Sequence, residues 1–283
     1  MSGEVTPIRY PAAPAVVTID LEDWFCVCGD DCYSDPRRWS GFEARLEAVG
    51  SFCLDRLAAH GRRATFFVLG WAARRYPALV RRIASEGHEV AFHGMEHRRW
   101  TEMTAAERRA DLSDGRHLLE DVAGVPVVGF RAPEWSIRSI ETEAFEILAG
   151  EGFRYDASVT AIPILGRREN PLHPVAVATK SGSIVELPPL TGTEWGQTVH
   201  FGGGWPFRQL RWSRLMDRAD EFRRNGAPAI FTFHPWELDA DAPPLVGSSA
   251  LLRLTRSAWR RRLPGRFERL LAREETALLR DLA

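Results

Sequence analysis

Residues 16–20 read Val-Val-Thr-Ile-Asp, an apolar run that ends at one ionisable side chain. A short run of this kind predicts a buried β-strand that delivers its last side chain to the carboxyl edge of a sheet. The loops at the carboxyl ends of the strands in a parallel β/α barrel converge on one cavity, so a repeated pattern predicts a shared active site. Five such apolar runs occur in the chain. The residues that follow them are Asp20, His93, Arg131, Asp156 and His234.

Predicted strands and helices alternate along the chain. Apolar spacing predicts helices over Phe42–His60, Trp71–Glu86 and Trp212–Asn225, and Thr104 with Glu107 forms a capping box at the start of another. Residues 175–188 predict an antiparallel hairpin that turns at Ser181-Gly182. This order predicts an α/β protein with a parallel sheet, closed or nearly closed, and covering helices.

The composition limits the classes of partner. The chain has 283 residues, 45% of them hydrophobic, with 38 acidic against 37 basic residues. Because the charges nearly cancel, no overall field favours nucleic acid. No charged segment followed by a long apolar core stands at the start, and no eighteen apolar residues run together, which predicts a cytoplasmic protein without a membrane span.

The four cysteines lie early in the chain. Cys26, Cys28 and Cys32 could form a zinc cluster, but their C-x-C-x3-C spacing lacks the paired C-x2-C knuckles of structural zinc sites. With Cys53 they are too local to staple a domain of this size. We therefore interpret them as reduced thiols.

Two histidines and a carboxylate predict a metal site. His93 and His97 are four residues apart, a spacing that metal ligands use, and His93 follows a predicted buried strand. Asp20-Leu-Glu-Asp23 supplies three acids at the end of the first strand, and such a cluster is costly to bury without a cation. Two histidines and one carboxylate with open positions form the typical site of catalytic zinc and related metals.

Three further residues are assigned catalytic roles. An acid that does not bind the metal is available as a general base, and His234 is a general acid that Asp156 would orient. Arg131 would hold the base through a bidentate pair. The alternative for Arg131 and Asp156 is a salt bridge at the barrel rim.

These residues resemble the motifs of polysaccharide deacetylases, carbohydrate esterase family four with the NodB-homology fold. The motifs are Thr18-Ile19-Asp20 with Glu22-Asp23, His93-Gly-Met-Glu-His97, Arg131-Ala-Pro133, Asp156-Ala-Ser158 and Phe233-His234. The segments LEDW, GGGWPFR and FHPWE are similar to deacetylases encoded with bacterial exopolysaccharide export systems. The resemblance implies a distorted (β/α)7-type barrel with an inserted β-hairpin and a helical C-terminal tail.

The resemblance also implies a reaction, the hydrolysis of an N-acetyl group on an amino sugar of a poly- or oligosaccharide. One divalent metal, Zn or else Co, Ni, Fe or Mn, is expected on Asp23, His93 and His97, with Asp20 as the base. The family's first motif has two adjacent aspartates, whereas Leu21 and Glu22 intervene here, so Glu22 is the alternative ligand to Asp23. The rival functions are a metal-dependent amidase on a small cyclic amide or imide, and a degenerate glycan-binding module.

The substrate groove is expected among aromatic loops. A backbone N–H near Glu134 would stabilise the oxyanion, although Glu134 and Trp135 depart from the usual third motif. Ala161 stands where the fourth motif has a tryptophan, so Trp205 or Trp236 is expected to shape the acetyl pocket. Aromatic faces stack on sugar rings, but the same tryptophans would also serve to cover the ends of a barrel.

Three regions are predicted along the chain. Residues 1–13 are a flexible lead-in, residues 14–247 form the NodB-homology barrel, and residues 248–283 form an Arg-rich helical extension packed on it. Eight arginines lie between Arg253 and Arg273. We expect a solvated helix face there, with contact to the anionic inner face of a membrane as the alternative.

Overall fold

The computed structural model describes residues 4–283 as strands around a barrel, with helices outside. The strands are β1 (Val5–Pro7), β2 (Ala15–Leu21), β3 (Thr65–Val68), β4 (Glu89–Phe92), β5 (Gly129–Phe130), β6 (Tyr155–Asp156), β7 (Val175–Thr179), β8 (Gly182–Glu186), β9 (Thr191–Glu194), β10 (Gln197–His200), β11 (Ala229–Phe233) and β12 (Thr276–Ala277). The helices are α1 (Leu46–Ala59), α2 (Gly70–Arg75), α3 (Pro77–Ser85), α4 (Ala105–Ala123), α5 (Thr142–Gly150), α6 (Gly204–Gln209), α7 (Trp212–Arg224), α8 (Pro235–Leu238), α9 (Ala250–Ser257) and α10 (Leu263–Arg273).

The main sheet has seven strands in one parallel path. Their order is β11-β2-β3-β4-β5-β6-β8, and every neighbouring pair in this order is parallel. Strands β7 and β1 extend the sheet antiparallel beyond β8. The expected (β/α)7-type barrel and inserted hairpin are therefore confirmed, and the second strand of the hairpin is itself the seventh barrel strand.

The segment after β8 bridges the gap between the two ends of the parallel path. Leu190 donates its N–H to the carbonyl of Ile230 on β11, and Gly203 forms a parallel bridge with Thr232 on the same strand. This segment therefore lies between β8 and β11. A Cβ atom on Gly203 would lie 2.1 Å from the carbonyl oxygen of Thr232, so this close approach requires glycine.

Burial explains why the strand runs are apolar. All seven residues of β2 are buried, and so are all five of β11, because helices and loops cover both sides of the barrel wall. The capping box of Thr104 and Glu107 is present, and α4 ends at Gly124 in the left-handed conformation. The predicted helix Trp71–Glu86 is interrupted at Tyr76, because Pro77 begins a new helix.

Two predicted boundaries were wrong. Within the predicted flexible lead-in, β1 pairs with β7 from Val5↔Val177 to Pro7↔Val175, so that part is an ordered edge strand; residues 1–3 lie outside the described residues. Helix α1 begins at Leu46 and not at Phe42, because Asp23 caps it there.

The C-terminal region packs on the barrel. Phe267 of α10 is fully buried, with its ring 5.1 Å from that of Phe233, and β12 pairs in parallel with β2. Arg273 at the end of α10 contacts Asp220, as expected for a helix face paired with acids. None of the helices within residues 4–283 has the length and apolarity needed to cross a bilayer.

Candidate active site

Four predicted strand ends meet in one cavity. Strand register explains this: Phe233 pairs with Ile19, so His234 follows beside Asp20, and Phe92 pairs with Phe130, so His93 and Arg131 follow side by side. The cavity has a volume of about 110 Å³. Its lining includes Asp20, Glu22, Cys26, His93, His97, Arg131, Glu134, Trp135, His234, Trp236 and Arg256.

Glu22, His93 and His97 form the one group in residues 4–283 with the arrangement of a metal site. Their donor atoms lie within 4.8 Å of one another, and all three residues are buried. Oε2 of Glu22 lies 2.7 Å from Nε2 of His97 and 3.8 Å from Nε2 of His93. That oxygen is buried and faces both imidazoles, which fits a side chain that would ligate a cation.

Hydrogen bonds set the tautomer of both imidazoles. Nδ1 of His93 lies 2.8 Å from the carbonyl oxygen of Arg131, so it carries the proton and donates. Nδ1 of His97 lies 3.3 Å from Sγ of Cys28, whose thiol donates to the carbonyl of His97. Both Nε2 atoms are therefore left to face Glu22, as metal ligands require.

The protonation states of the three side chains also suit a bound cation. Burial lowers the pKa of His93 to about 4, so its imidazole is neutral. Burial opposes the charge of His97, but Glu22 and Cys28 raise the pKa of His97 well above its usual value. Burial likewise opposes the charge of Glu22, yet His97 holds the pKa of Glu22 below its usual range. A bound divalent ion would displace the proton that His97 and Glu22 share.

Asp23, the expected metal ligand, does not face the histidines, so that placement was wrong. Its Oδ2 accepts from the backbone N–H groups of Arg45 and Leu46, at 2.9 and 3.0 Å, and its Oδ1 accepts from the N–H of Trp24. Free N–H groups at the start of a helix need an acceptor, and Asp23 supplies it for α1. Glu22, the alternative, takes the place among the ligands.

We predict that Asp23→Ala destabilises the fold without removing a metal. The variant leaves the N–H groups at the start of α1 without an acceptor, so the free energy of unfolding should fall by about 1 to 2 kcal/mol. Urea denaturation measures this loss, and Asp23→Asn, which keeps one acceptor oxygen, should lose less. Equal stability of Asp23→Ala and wild type would contradict the capping role.

Asp20 and Arg131 form a buried ion pair. Nη1 of Arg131 donates to Oδ1 of Asp20 at 2.6 Å and to Oγ1 of Thr18 at 3.0 Å. Nε of Arg131 donates to the carbonyl of Ala157, and its guanidinium lies 4.0 Å above the ring of Phe67. The other oxygen of Asp20 lies 3.9 Å from Nε2 of His93 and 3.7 Å from Nε2 of His234. Arg131 thus fixes one oxygen of Asp20 and leaves the second facing the cavity.

Glu237, and not Asp156, supports His234. Nδ1 of His234 lies 2.9 Å from Oε2 of Glu237, which is 1% exposed. Burial lowers the pKa of His234, but the hydrogen bond to Glu237 and the charges of Glu22 and Asp20 outweigh it, so the pKa is raised. The ring of Trp236 stacks on the imidazole at a centroid distance of 5.3 Å.

Asp156 lies away from His234 and supports the loop that holds Arg131. Oδ1 of Asp156 accepts from the hydroxyl of Ser158 at 2.6 Å, and that hydroxyl oxygen accepts from the N–H of Ala132. Burial and the charge of Asp156 raise the pKa of Glu186 well above its usual value, so a protonated Glu186 can bond to Asp156. The expectation that Asp156 orients His234 was wrong, because Asp156 bonds to Ser158 and does not line the catalytic cavity.

The four residues expected to bind substrate divide between two cavities. Glu134, Trp135 and Trp236 line the catalytic pocket, whereas Trp205 lines an adjacent apolar groove of about 480 Å³. Trp135 borders both cavities, and so does His234. Glu134 and Trp135 have φ values of 53° and 50°, a strained left-handed backbone that is common at functional sites.

Sequence reasoning did not assign roles to Glu237 and Cys28, and gave Glu22 only as an alternative. Glu237 had a detectable signal, since it stands three residues after His234 and closes a capping box around Pro235. Cys28 had none, because its contact with His97 joins residues 69 positions apart. The four cysteines are free, with Cys26, Cys28 and Cys53 buried.

Comparison with known proteins finds similarity to described families in two parts of the chain. The sequence profile described as polysaccharide deacetylase matches residues 34–153, which include His93, His97 and Arg131. This part of the chain is therefore similar to polysaccharide deacetylases. A second profile, described as a domain of unknown function (DUF3473), matches residues 157–282, which include His234 and Glu237.

Parts of the chain are also similar to curated proteins of several bacteria. The chain is 35% identical over 80 residues to a peptidoglycan-N-acetylglucosamine deacetylase of Bacillus cereus, covering 28% of this chain and 29% of the relative. It is 51% identical over 57 residues to a chitooligosaccharide deacetylase of Rhizobium leguminosarum bv. trifolii, covering 20% of this chain and 25% of the relative. The chain spans about a third of the length of such curated relatives.

A solved structure shares the whole fold. A Mycobacterium smegmatis protein described provisionally as a polysaccharide deacetylase superposes with a TM-score of 0.64, covering 100% of this chain and 93% of the other. The two sequences are 22% identical, so the likeness shows the fold alone. The fold continues through both profile matches, because β8 and β11 complete the barrel that β2 to β6 begin.

Proposed function

We propose that the protein is a metal-dependent N-deacetylase that removes acetyl groups from N-acetylated amino sugars of a poly- or oligosaccharide. One observation carries the proposal: Glu22, His93 and His97 share a pocket with the Asp20–Arg131 and His234–Glu237 pairs. Hydrolysis of an amide needs a base for water and an acid for the leaving amine, and the pocket holds one of each. The relatives named above as deacetylases of N-acetylated glycans support the choice of substrate class.

Each side chain has a role in this proposal. Glu22, His93 and His97 would hold a divalent metal, which supplies Lewis-acid polarisation of the acetyl carbonyl when bound. Asp20, held by Arg131, accepts a proton from the attacking water. His234, held by Glu237, donates a proton to the departing amine. A backbone N–H at the strained turn of Glu134 and Trp135 would donate to the oxyanion.

Acetate release tests this function. Purified protein loaded with metal is incubated with N-acetylated oligosaccharides, a small cyclic imide and a chelator control, and acetate and free amine are measured. We expect acetate and amine in equal amounts from the glycans and none after chelation. Ring opening of the imide without acetate release from any glycan would instead support the amidase alternative.

We predict that Glu237→Gln moves the alkaline limb of the pH profile toward lower pH. Glu237 helps raise the pKa of His234, and activity falls at high pH as the imidazolium loses its proton. Without the carboxylate this loss begins at lower pH. Asp156→Asn should leave the limb in place, because Asp156 forms no hydrogen bond or ion pair with His234 in the described residues.

The profile is measured with two metals, each at saturation, because a metal can set an alkaline limb by itself. Residues Asp20, Glu22 and Glu237 face His234 and must stay unchanged in the reference protein. A limb that follows the metal and ignores Glu237→Gln would remove His234 as the general acid.

Finer parts of the proposal concern the metal and the location. Zinc is favoured by a donor set of two imidazoles and one carboxylate. The four free cysteines support a cytoplasmic site of action. Contact with a membrane surface is supported by Leu251 and Leu254, whose side chains are 71% and 60% exposed on α9 beside Arg253. A role in exopolysaccharide synthesis is supported by the LEDW and FHPWE segments, which carry Glu22 and Glu237 to the pocket.

A further inference from the structure

Arg256 is the charged residue of the catalytic pocket that forms no ion pair in the part of the chain that the structure describes. Among the described residues that line the cavity, Asp20 pairs with Arg131, Glu22 with His97, and His234 with Glu237. Glu134 pairs with Arg99. Arg256 lines the same cavity but forms no ion pair with a carboxylate in residues 4–283.

The guanidinium of Arg256 is fixed in place and yet keeps most of its donors free. Its Cζ lies 3.8 Å above the ring of Trp236, and Nη2 donates one long bond of 3.3 Å to the carbonyl of Trp24. A guanidinium has five N–H donors, so four have no protein acceptor within residues 4–283. A flat cation held against an aromatic face is prepared for a bidentate contact.

The neighbouring structure positions the helix that carries Arg256. Arg208, 1% exposed, donates to the carbonyls of Thr255 and Arg256, at 2.5 and 2.9 Å, at the end of α9. A cation at the carboxyl end of a helix satisfies the free carbonyls and interacts favourably with the helix dipole. Arg256 therefore enters the pocket from a segment that a second arginine anchors.

We propose that Arg256 binds an anionic group, a carboxylate or a phosphate, carried by the glycan next to the acetamido group that reacts. The proposal rests on the proposed function and narrows it to acidic amino-sugar substrates. Carboxylate and phosphate oxygens match the guanidinium fork in geometry as well as charge. In this proposal the pocket has two binding groups. The metal cluster binds the acetyl group, and Arg256 binds the anion.

Binding of three simple probes tests the proposal. The probes are N-acetylglucosamine, N-acetylmuramic acid, which adds a carboxylate, and N-acetylglucosamine 1-phosphate. Titration calorimetry on the metal-loaded protein gives the affinities, and acetate release gives kcat and KM for the same three. We expect at least one anionic probe to bind about 10- to 100-fold more tightly than the neutral sugar, the range of a charged hydrogen-bonded contact. Which of the two does so identifies the group.

Variants on the same helix make the test specific. Arg256→Gln should abolish the preference for the anion, mainly through KM, and leave the neutral sugar within about 2-fold, because only the charged contact of about 10-fold or more is lost. Arg256→Lys should retain part of the preference, since it keeps the charge but not the fork. Arg253→Gln is the control, because Arg253 is exposed and lies outside the catalytic cavity.

Several results would overturn the proposal. They are equal affinity of wild type for all three probes, an equal loss of all three in Arg256→Gln, and an effect of Arg253→Gln as large as that of Arg256→Gln. If wild type binds the anionic probe through Arg256 but releases no acetate from any probe or glycan, the proposed deacetylation fails and the anion site stands.

Discussion

Replacing His97 or His93 by alanine should leave a folded protein that holds no metal and releases no acetate above background. Each imidazole directs its Nε2 to Glu22, and a hydrogen-bond partner at Nδ1 holds each ring in that orientation. Loss of one of three ligands removes the site, because weak two-ligand binding does not survive purification. Metal content per chain and acetate release are measured on the same preparations.

His117→Ala is the matched control, because His117 is exposed on α4 and lies outside the metal cluster. It should keep both the metal and the activity. Circular dichroism establishes that all three variants are folded. Wild-type metal content in both His93→Ala and His97→Ala would remove the metal site from the account.

Asp20→Asn should keep the metal and lower kcat by at least about 100-fold, the scale of a lost general base. An asparagine of the same shape can still accept the hydrogen bond from Arg131, so the packing of the pair is retained. Its amide cannot accept a proton from water at the oxygen that faces His93 and His234. The rate is measured at saturating metal and substrate.

Asp23→Asn is the control for this second prediction. It removes a carboxylate three positions further along the chain, but one that caps α1 and does not line the cavity. It should retain activity. If Asp20→Asn loses the metal while Glu22→Gln keeps the metal but loses activity, the roles of Asp20 and Glu22 are the reverse of those assigned.

The strand ends were predictable from the sequence, because a buried strand requires a run of apolar residues. An apolar run that stops at Asp20, His93 or His234 predicts which side chain lies at the carboxyl end of its strand. The structure places these three around one cavity, as expected. Arg131 also contacts the carboxylate that the sequence assigned to it, although through Nη1 alone and not through the expected bidentate pair.

The choice between Glu22 and Asp23 was not predictable because it depends on a turn. After β2 the N–H of Glu22 bonds back to the carbonyl of Asp20, and this turn directs Glu22 to the histidines and Asp23 to α1. Glu22 and Asp23 are adjacent acids, so neither residue type nor position in the motif separates their roles. Only the path of the backbone distinguishes them.

The partner of His234 was not predictable for a related reason. Asp156 and His234 both end strands, but the sequence does not give the direction of each side chain, and Asp156 bonds to Ser158 without lining the catalytic cavity. Glu237 is close in sequence and was available as a local partner on α8. Local spacing was the better guide here, because a helical turn fixes its geometry.

Metal content of Glu22→Gln beside Asp23→Asn is the most direct test of the central claim, that Glu22 completes a metal centre with His93 and His97. Both variants replace one buried acid with its amide, so size and burial are matched. We expect one metal ion per chain in Asp23→Asn, and loss of the metal and of acetate release in Glu22→Gln. One metal ion per chain in Glu22→Gln and none in a folded Asp23→Asn would contradict it.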